Sequence, residues 1–367
     1  MGAPLHGNTP ESLMGEALDS LHAADDLADR ALAAARGSAR RRGHAPRVAT
    51  VLALAIALTL TLGGTAYAIV NSDLLARAYS GHGLGDTAAW SIRGDDGKSV
   101  YNFSQSLTPA AGEDVAQTIA DATEPVNLTT TANGYTLTVE SMVLDANGAG
   151  VATFTLASDH GFRLLPDAVP GELVFDGDSD LGLVSMEFPG GDFPDTRCYY
   201  DASASTDTEL HGTMYFTSKG TDAFASGVAW VLGGTPGGDA VTGTFTPSRV
   251  VGTREFSDES GTVVSLSPLS LKASFSNAQG EHSMDLLQLS HADGTTQTVL
   301  DHDYDSGATS ETNYYTSYRW DEGDDECIIL SLSQITDPAT VDSVLMGVHR
   351  YANDGRKDAS CALTPTS

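Results

Sequence analysis

Val48–Val70 reads VATVLALAIALTLTLGGTAYAIV, 23 residues without a charge, and this run limits every other reading of the chain. As a helix it rises about 1.5 Å per residue and spans roughly 34 Å, more than the ~30 Å of a bilayer's hydrocarbon core. Its five Leu, two Ile and three Val each favour insertion by roughly 0.3–0.6 kcal/mol, which outweighs the Thr, Gly and Tyr among them. A buried helix of a soluble protein seldom stays apolar beyond about 18 residues. The alternative is a cleaved signal peptide, since Ala66-Tyr67-Ala68 fits the small-x-small cleavage pattern. The 47 residues upstream argue for an uncleaved anchor, because a secretory n-region is normally a few residues long.

Flanking charge orients the anchor. Arginines 30, 36, 40, 41, 42 and 47 precede it with no acid between them, whereas Asn71–Ser91 carries only Arg77. Positive residues stay cytoplasmic, so the expected topology is single-pass, with the N-terminus inside and the C-terminal part outside. Residues 1–47 hold six acids and six arginines, which leaves 43 acids against 13 bases in the outer part, net −30. A region so acidic repels nucleic acid and anionic bilayer surfaces. High solubility at a cell surface is its simplest consequence.

The inner segment has a pattern of its own. Thr9-Pro10-Glu11 reads as a helix start, with Thr at the cap, Pro at the first position and an acid in the first turn. Met14, Leu18, Leu21 and Leu27 then recur at helical spacing. An amphipathic cytosolic helix without a domain around it needs a cover for its apolar stripe, so these four are candidate partner-binding residues. Within the anchor, Ala49, Ala53 and Ala57 form a small-xxx-small ridge, a spacing that also arises by chance in an Ala-rich helix.

Beyond the anchor, 71–125 is a juxtamembrane region in which Gly112–Ala122 reads as one short helix with Val115, Ile119 and Ala122 on one face. From about 126 the period becomes two. Tyr135, Leu137 and Val139 alternate with polar residues, and Met142 and Leu144 resume one residue out of phase, which predicts a bulge near Glu140-Ser141. Asp145-Ala146-Asn147-Gly148 makes a turn to a returning strand with Ala152, Phe154 and Leu156. Further short alternating runs follow at similar intervals up to 248, and a second series runs from 249 to a polar tail after Tyr351. The expected fold is mainly β, with two immunoglobulin-like β-sandwich domains, 126–248 and 249–367, outside the membrane.

Chemistry is harder to find. There is no His-Glu-x-x-His, Gly-x-Ser-x-Gly or Cys-x-x-Cys, and Gly97-Lys98-Ser99 lacks the upstream glycine of a phosphate loop, which is replaced by Ile92. No catalytic residue, cofactor or metal is assigned, and the chain is not expected to be an enzyme. Asp176, Asp178 and Asp180, and likewise Asp301, Asp303 and Asp305, imitate the first three ligands of a calcium loop, but in each the glycine comes one residue late. Trp90, Trp230 and Trp320 could stack on sugars; Trp230 and Trp320 sit in strand patterns, which favours core packing. The three cysteines, Cys198, Cys327 and Cys361, all lie outside, and Cys327 with Cys361 is a disulfide candidate that would tie the tail to a strand.

The arrangement resembles domain-of-unknown-function family 4179, single-pass membrane proteins of Gram-positive bacteria. The likeness rests on an anchor ending GGTAYA and on LHAADDLADRALAA (Leu21–Ala34), ANGYTLTVESMVLDANGAGVATFTL (Ala132–Leu156) and STDTELHGTMYF (Ser205–Phe216). SPLSLKASF (Ser267–Phe275) and QITDPATVDSVLMGV (Gln334–Val348) extend it. It implies an anti-sigma-factor-like regulator, with a sigma factor held by the cytosolic helix and an unknown extracellular ligand. Residues 1–47 contain no cysteine, so a zinc-binding anti-sigma domain is excluded. The other reading is a tethered surface binding or structural module with no signalling role.

Overall fold

Alternation of apolar and polar side chains decides which strands form, and a computed structural model shows how they are ordered. It describes residues 88–93, 99–105, 112–164, 172–176, 184–189, 193–201, 204–233, 239–276, 282–301, 311–312, 314–350 and 357–366. Met14, Leu18, Leu21 and Leu27, the apolar run 48–70, and Asp178, Asp180, Asp303 and Asp305 lie outside the described residues. Among the described residues no helix is long and apolar enough to cross a membrane.

The described chain is mainly β. Strands β1 (Ala88–Arg93) and β2 (Ser99–Gln105) form an antiparallel pair. Helix α1 (Gly112–Ala122) follows where expected, with Val115, Ile119 and Ala122 buried at helical spacing. Strands β3 (Glu124–Ala132), β4 (Tyr135–Leu144) and β5 (Ala149–Ser158) then form an antiparallel meander. Next come β6 (Glu172–Asp176), β7 (Val184–Glu187), β8 (Asp195–Tyr200), β9 (Glu209–Thr217), β10 (Ala229–Leu232) and β11 (Ala240–Val241). The order β3-β4-β5-β9-β8 makes a five-stranded sheet, while β11-β10-β7 and β2-β1-β6 make two three-stranded ones.

Alternate residues of the five-stranded sheet supply the first core. Leu137, Val139, Met142 and Leu144 of β4 and Phe154 and Leu156 of β5 pack with Met214 and Phe216 of β9. Phe175 of β6, Met186 of β7 and Trp230 of β10 complete it. The predicted bulge is present. Register between β4 and β5 slips between Val139 and Ser141, so Glu140 is the extra residue that restores the apolar face. Strand β3 slips opposite it, between Pro125 and Leu128.

The second series begins with β12 (Arg254–Ser257), β13 (Val263–Leu266), β14 (Ser270–Ser276), β15 (His282–His291), β16 (Thr296–Asp301) and β17 (Glu311–Thr312). It ends with β18 (Tyr314–Glu322), β19 (Asp325–Leu332), β20 (Val341–Arg350) and β21 (Lys357–Pro365). These form one ten-stranded sheet in the order β17-β16-β15-β20-β21-β12-β13-β14-β19-β18. Both of its arms point side chains into a second core. Phe256, Val264, Leu271, Ile328 and Leu330 come from one arm, and Leu287, Leu289, Val344 and Met346 from the other.

The tail departs from expectation. Instead of a polar tail throughout, it contains β21, which pairs with β20 from Lys357 to Leu363 and with β12 through Thr364 and Pro365. Alternation explains the misreading, because Cys361 and Leu363 face the core between exposed Ala362 and Thr364. This strand joins the two arms. Leu363 is fully buried, so Leu363→Ala should cost about 3 kcal/mol in urea unfolding; a loss under about 1 kcal/mol would contradict the closing role of β21.

Candidate functional site

Between the two cores the chain runs through residues 246–253, and bonds at several points hold it. The Glu124 carboxylate at the start of β3 accepts the Ser248 N–H at 2.6 Å, the Ser248 hydroxyl at 2.7 Å and the Arg249 N–H at 3.0 Å. Arg249 in turn donates to the carbonyl of Asp121 at 2.9 Å, at the end of α1. Val251 N–H donates to Leu144 O at 2.8 Å and Val251 O accepts from Ala146 N–H at 2.9 Å, so the linker adds a short parallel bridge to the β4–β5 turn.

That turn carries the most constrained group. Asp145 is 0% exposed. Its Oδ1 accepts the backbone N–H groups of Asn147, Gly148 and Ala149 at 3.0, 3.0 and 2.9 Å. Its Oδ2 accepts the hydroxyls of Ser267 and of Ser270, the latter at 2.5 Å, from the β13–β14 turn of the other half. Asn147 Nδ2 adds bonds to Ser265 O and Ser270 Oγ, each at 3.0 Å. The proton count closes. Ser270 gives its proton to Asp145 and accepts from Asn147, while Ser267 gives its own and accepts the N–H groups of Leu269 and Ser270. Burial pushes the Asp145 pKa upward, against the lowering effect of these donors.

Close approach fixes the turn residues as well. Gly148 has φ +97°, and a Cβ there would stand 2.5 Å from the backbone of Gly220; only glycine fits. Beside this joint lies a third apolar cluster shared by α1, the first sheet and the second half. Tyr199 and Tyr215 meet Tyr315 at ring-centroid distances of 5.6 and 4.0 Å, with Val115, Ile119, Val143 and Leu269 around them.

Among the described residues two clefts flank the linker. The larger, about 490 Å³, is walled by α1, the linker, Pro268 and the short 3-10 turn Pro338–Thr340. Arg254 lines it, and its Nη1 donates to the carbonyls of Pro338, Ala339 and Val341 at 2.8, 3.3 and 2.9 Å. The smaller, about 270 Å³, is polar, with Asn147, Glu255, Ser265 and Lys272 among its lining.

A separate polar chain crosses the outer face of the first sheet. The Thr155 hydroxyl donates to Glu140 at 2.5 Å, lies 3.3 Å from His211 Nδ1, and His211 Nε2 lies 3.0 Å from Glu209. Thr155 has one hydroxyl proton. A neutral His211 donates from Nε2 to Glu209 and accepts at Nδ1, so that proton is divided between Glu140 and His211 Nδ1. Burial lowers the His211 pKa, against the raising effects of Glu209 and Asp201.

The sequence-predicted residues fall differently. Asp176 ends β6, and Asp301, exposed, ends β16. Among the described residues no three His, Cys, Asp or Glu side chains gather as a metal site. Cys327 and Cys361 are not brought together, and neither is in a disulfide. Three strands, β14, β13 and β12, stand between them in the sheet, and Cys361 packs on the second core whereas Cys327 faces Ser274 at 3.6 Å. Desolvation pushes the Cys198 thiol up to about 12 and Cys361 up to about 11. Trp230 is core, but Trp320 is half-buried on the outer face of β18, with the Lys272 ammonium 5.2 Å from its ring. The joint itself escaped sequence reasoning, since DANG reads as an ordinary turn.

No family model matches the chain, and no curated protein matches it. Among solved structures, a conserved domain protein from Bacillus anthracis superimposes with a TM-score of 0.38 at 10% identity, over 67% of this chain and 92% of that one. Likeness at that level bears on neither fold nor function.

Asp145→Ala would orphan five donors and should cost at least about 3 kcal/mol in urea unfolding. Asp145→Asn should cost less, because its Oδ1 still accepts three N–H groups and only the two serine hydroxyls lose their acceptor; equal losses would refute the donor count. For His211 the folded pKa lies below 6.5. The unfolded chain therefore binds the proton first, and stability should fall as pH drops below 6.5 toward the folded value. His211→Gln should flatten that segment of the stability curve measured by thermal unfolding, and an unchanged slope would contradict the assignment.

Proposed function

We propose that the described β region is the acidic, ligand-receiving part of a single-pass membrane protein, and that the chain acts as an anti-sigma-factor-like regulator. In this reading Val48–Val70 is the anchor, residues 1–47 are cytoplasmic, and the β region lies outside the cell as two immunoglobulin-like sandwiches. Its role is binding rather than catalysis. The observation that carries the reading is the clamped joint. Glu124, Val251 and Asp145 tie the linker and both halves together, so a load on one half is passed to the other instead of being lost in a flexible hinge. Two of the segments on which the family resemblance rests, Ala132–Leu156 and Ser267–Phe275, meet at this joint through Asp145, Ser267 and Ser270.

On the cytoplasmic side the apolar stripe of Met14, Leu18, Leu21 and Leu27 would hold the sigma factor. The absence of cysteine from residues 1–47 favours the second reading, a tethered binding module, to the extent that it removes the zinc-dependent mode of sigma binding. Cross-linked pull-down of the full chain separates the two. Recovery of a sigma factor with wild type, and its loss with Leu18→Glu, Leu21→Glu and Leu27→Glu combined, is the expected result. No sigma factor from either chain would sink the regulatory reading.

A further inference from the structure

The larger cleft has a ligand preference written into its lining. Its volume of about 490 Å³ falls in the range of small-molecule sites, roughly 300–1,000 Å³, and its lining comes from α1, the linker and the second half. Val115, Val251, Pro268 and Pro338 give it apolar walls. Arg254, half-buried, supplies the charge. Its Nη1 is engaged by three carbonyls, and its Cζ lies 5.3 Å from the Phe256 ring centroid. Among the described residues no acceptor meets its Nε–H or Nη2–H groups, and no carboxylate lies within ion-pair distance of it. Asp337 lines the same cleft, but its Oδ1 caps the Ala339 N–H at 2.9 Å.

With Nη1 held by carbonyls, the guanidinium keeps an Nε–H/Nη2–H edge that no described residue accepts, and these two parallel donors match the two oxygens of a carboxylate. We propose that this cleft binds a small organic carboxylate, with the Nε/Nη2 edge of Arg254 taking the anion and the apolar walls taking its hydrocarbon body. A phosphate, with nearly twice the charge, is disfavoured by the field of a chain whose net charge is −30. The carbonyl anchors explain why Arg254 keeps its position without an acidic partner. The inference names a ligand class for the receiving region proposed above and rests on that reading for its biological meaning, although binding is measurable without it.

The test is calorimetric titration of the full chain in lipid nanodiscs with benzoate, benzyl alcohol and benzylammonium, with empty nanodiscs as the blank. Benzoate should bind saturably and competitively with other monocarboxylates. Benzyl alcohol should bind about tenfold to a hundredfold more weakly, the loss of one charge-assisted pair, and benzylammonium should give no binding. Arg254→Gln should abolish the preference for benzoate over the alcohol. Because Arg254 also holds three carbonyls, Gly252→Phe serves as the second variant. Gly252 lines the cleft and a Cβ there meets no atom within 4 Å, so the ring should fill the cleft, remove benzoate binding and leave the thermal midpoint in place. Equal binding of benzoate and benzyl alcohol, undiminished binding in Gly252→Phe, or no saturable heat from benzoate and hexanoate up to about 10 mM would each overturn the proposal. Benzoate binding without sigma-factor recovery defeats the regulatory reading alone; sigma-factor recovery without benzoate binding defeats the carboxylate site alone.

Discussion

A fully buried carboxylate holds two β cores in one arrangement, and much else in the structure depends on it. Asp145 can be buried only because five donors converge on it, three from its own turn and two from a turn in the other half. Apolar surfaces tolerate sliding, since the hydrophobic effect has no direction. Five directional bonds to two oxygens do not. The hydroxyls of Ser267 and Ser270 reach Asp145 in one register of the two halves, and the backbone bridge of Val251 to Leu144 and Ala146 fixes the linker in the same step.

The clefts are consequences of that joint. Helix α1 packs on the second half through the third apolar cluster, and the linker adds directional bonds between it and the 3-10 turn Pro338–Thr340. Arg249 ties the linker to the end of the helix, and Arg254, at its other end, ties it to the turn. The tyrosine cluster fills the remaining contact with large, flat side chains, whose burial adds area while the polar network sets geometry. A ligand seated against Arg254 would therefore touch elements of both halves at once.

Local features of the fold were legible in the sequence, and long-range ones were not. The bulge at Glu140 could be read because a one-residue phase change leaves apolar residues on the core face only if the strand carries an extra residue. Helix α1 was legible from Val115, Ile119 and Ala122, since its buried face is set by local period. Asp145 was read as a turn residue because its serine partners lie 122 and 125 positions away, and nothing local marks a turn aspartate as buried. The C-terminal strand was missed for a related reason: Cys361 and Leu363 are the few apolar residues among polar neighbours, and their significance comes from strands β20 and β12 on either side. Cys327 and Cys361 looked like a pair by compartment and number, yet strand alternation turns Cys361 toward the core and Cys327 away from it. Nor did Arg254 stand out, because its role depends on carbonyls more than eighty positions downstream.

Native-state hydrogen exchange at the amides of Asn147, Gly148 and Ala149 tests the joint most directly. If Asp145 holds the two halves as one body, these three amides open only when the fold does. Their exchange free energies should then equal those of core amides such as Val139 in the first half and Leu330 in the second. Exchange of the turn amides at a free energy several kcal/mol below the core would mean that the joint opens locally and that Asp145 does not hold the two halves as one body.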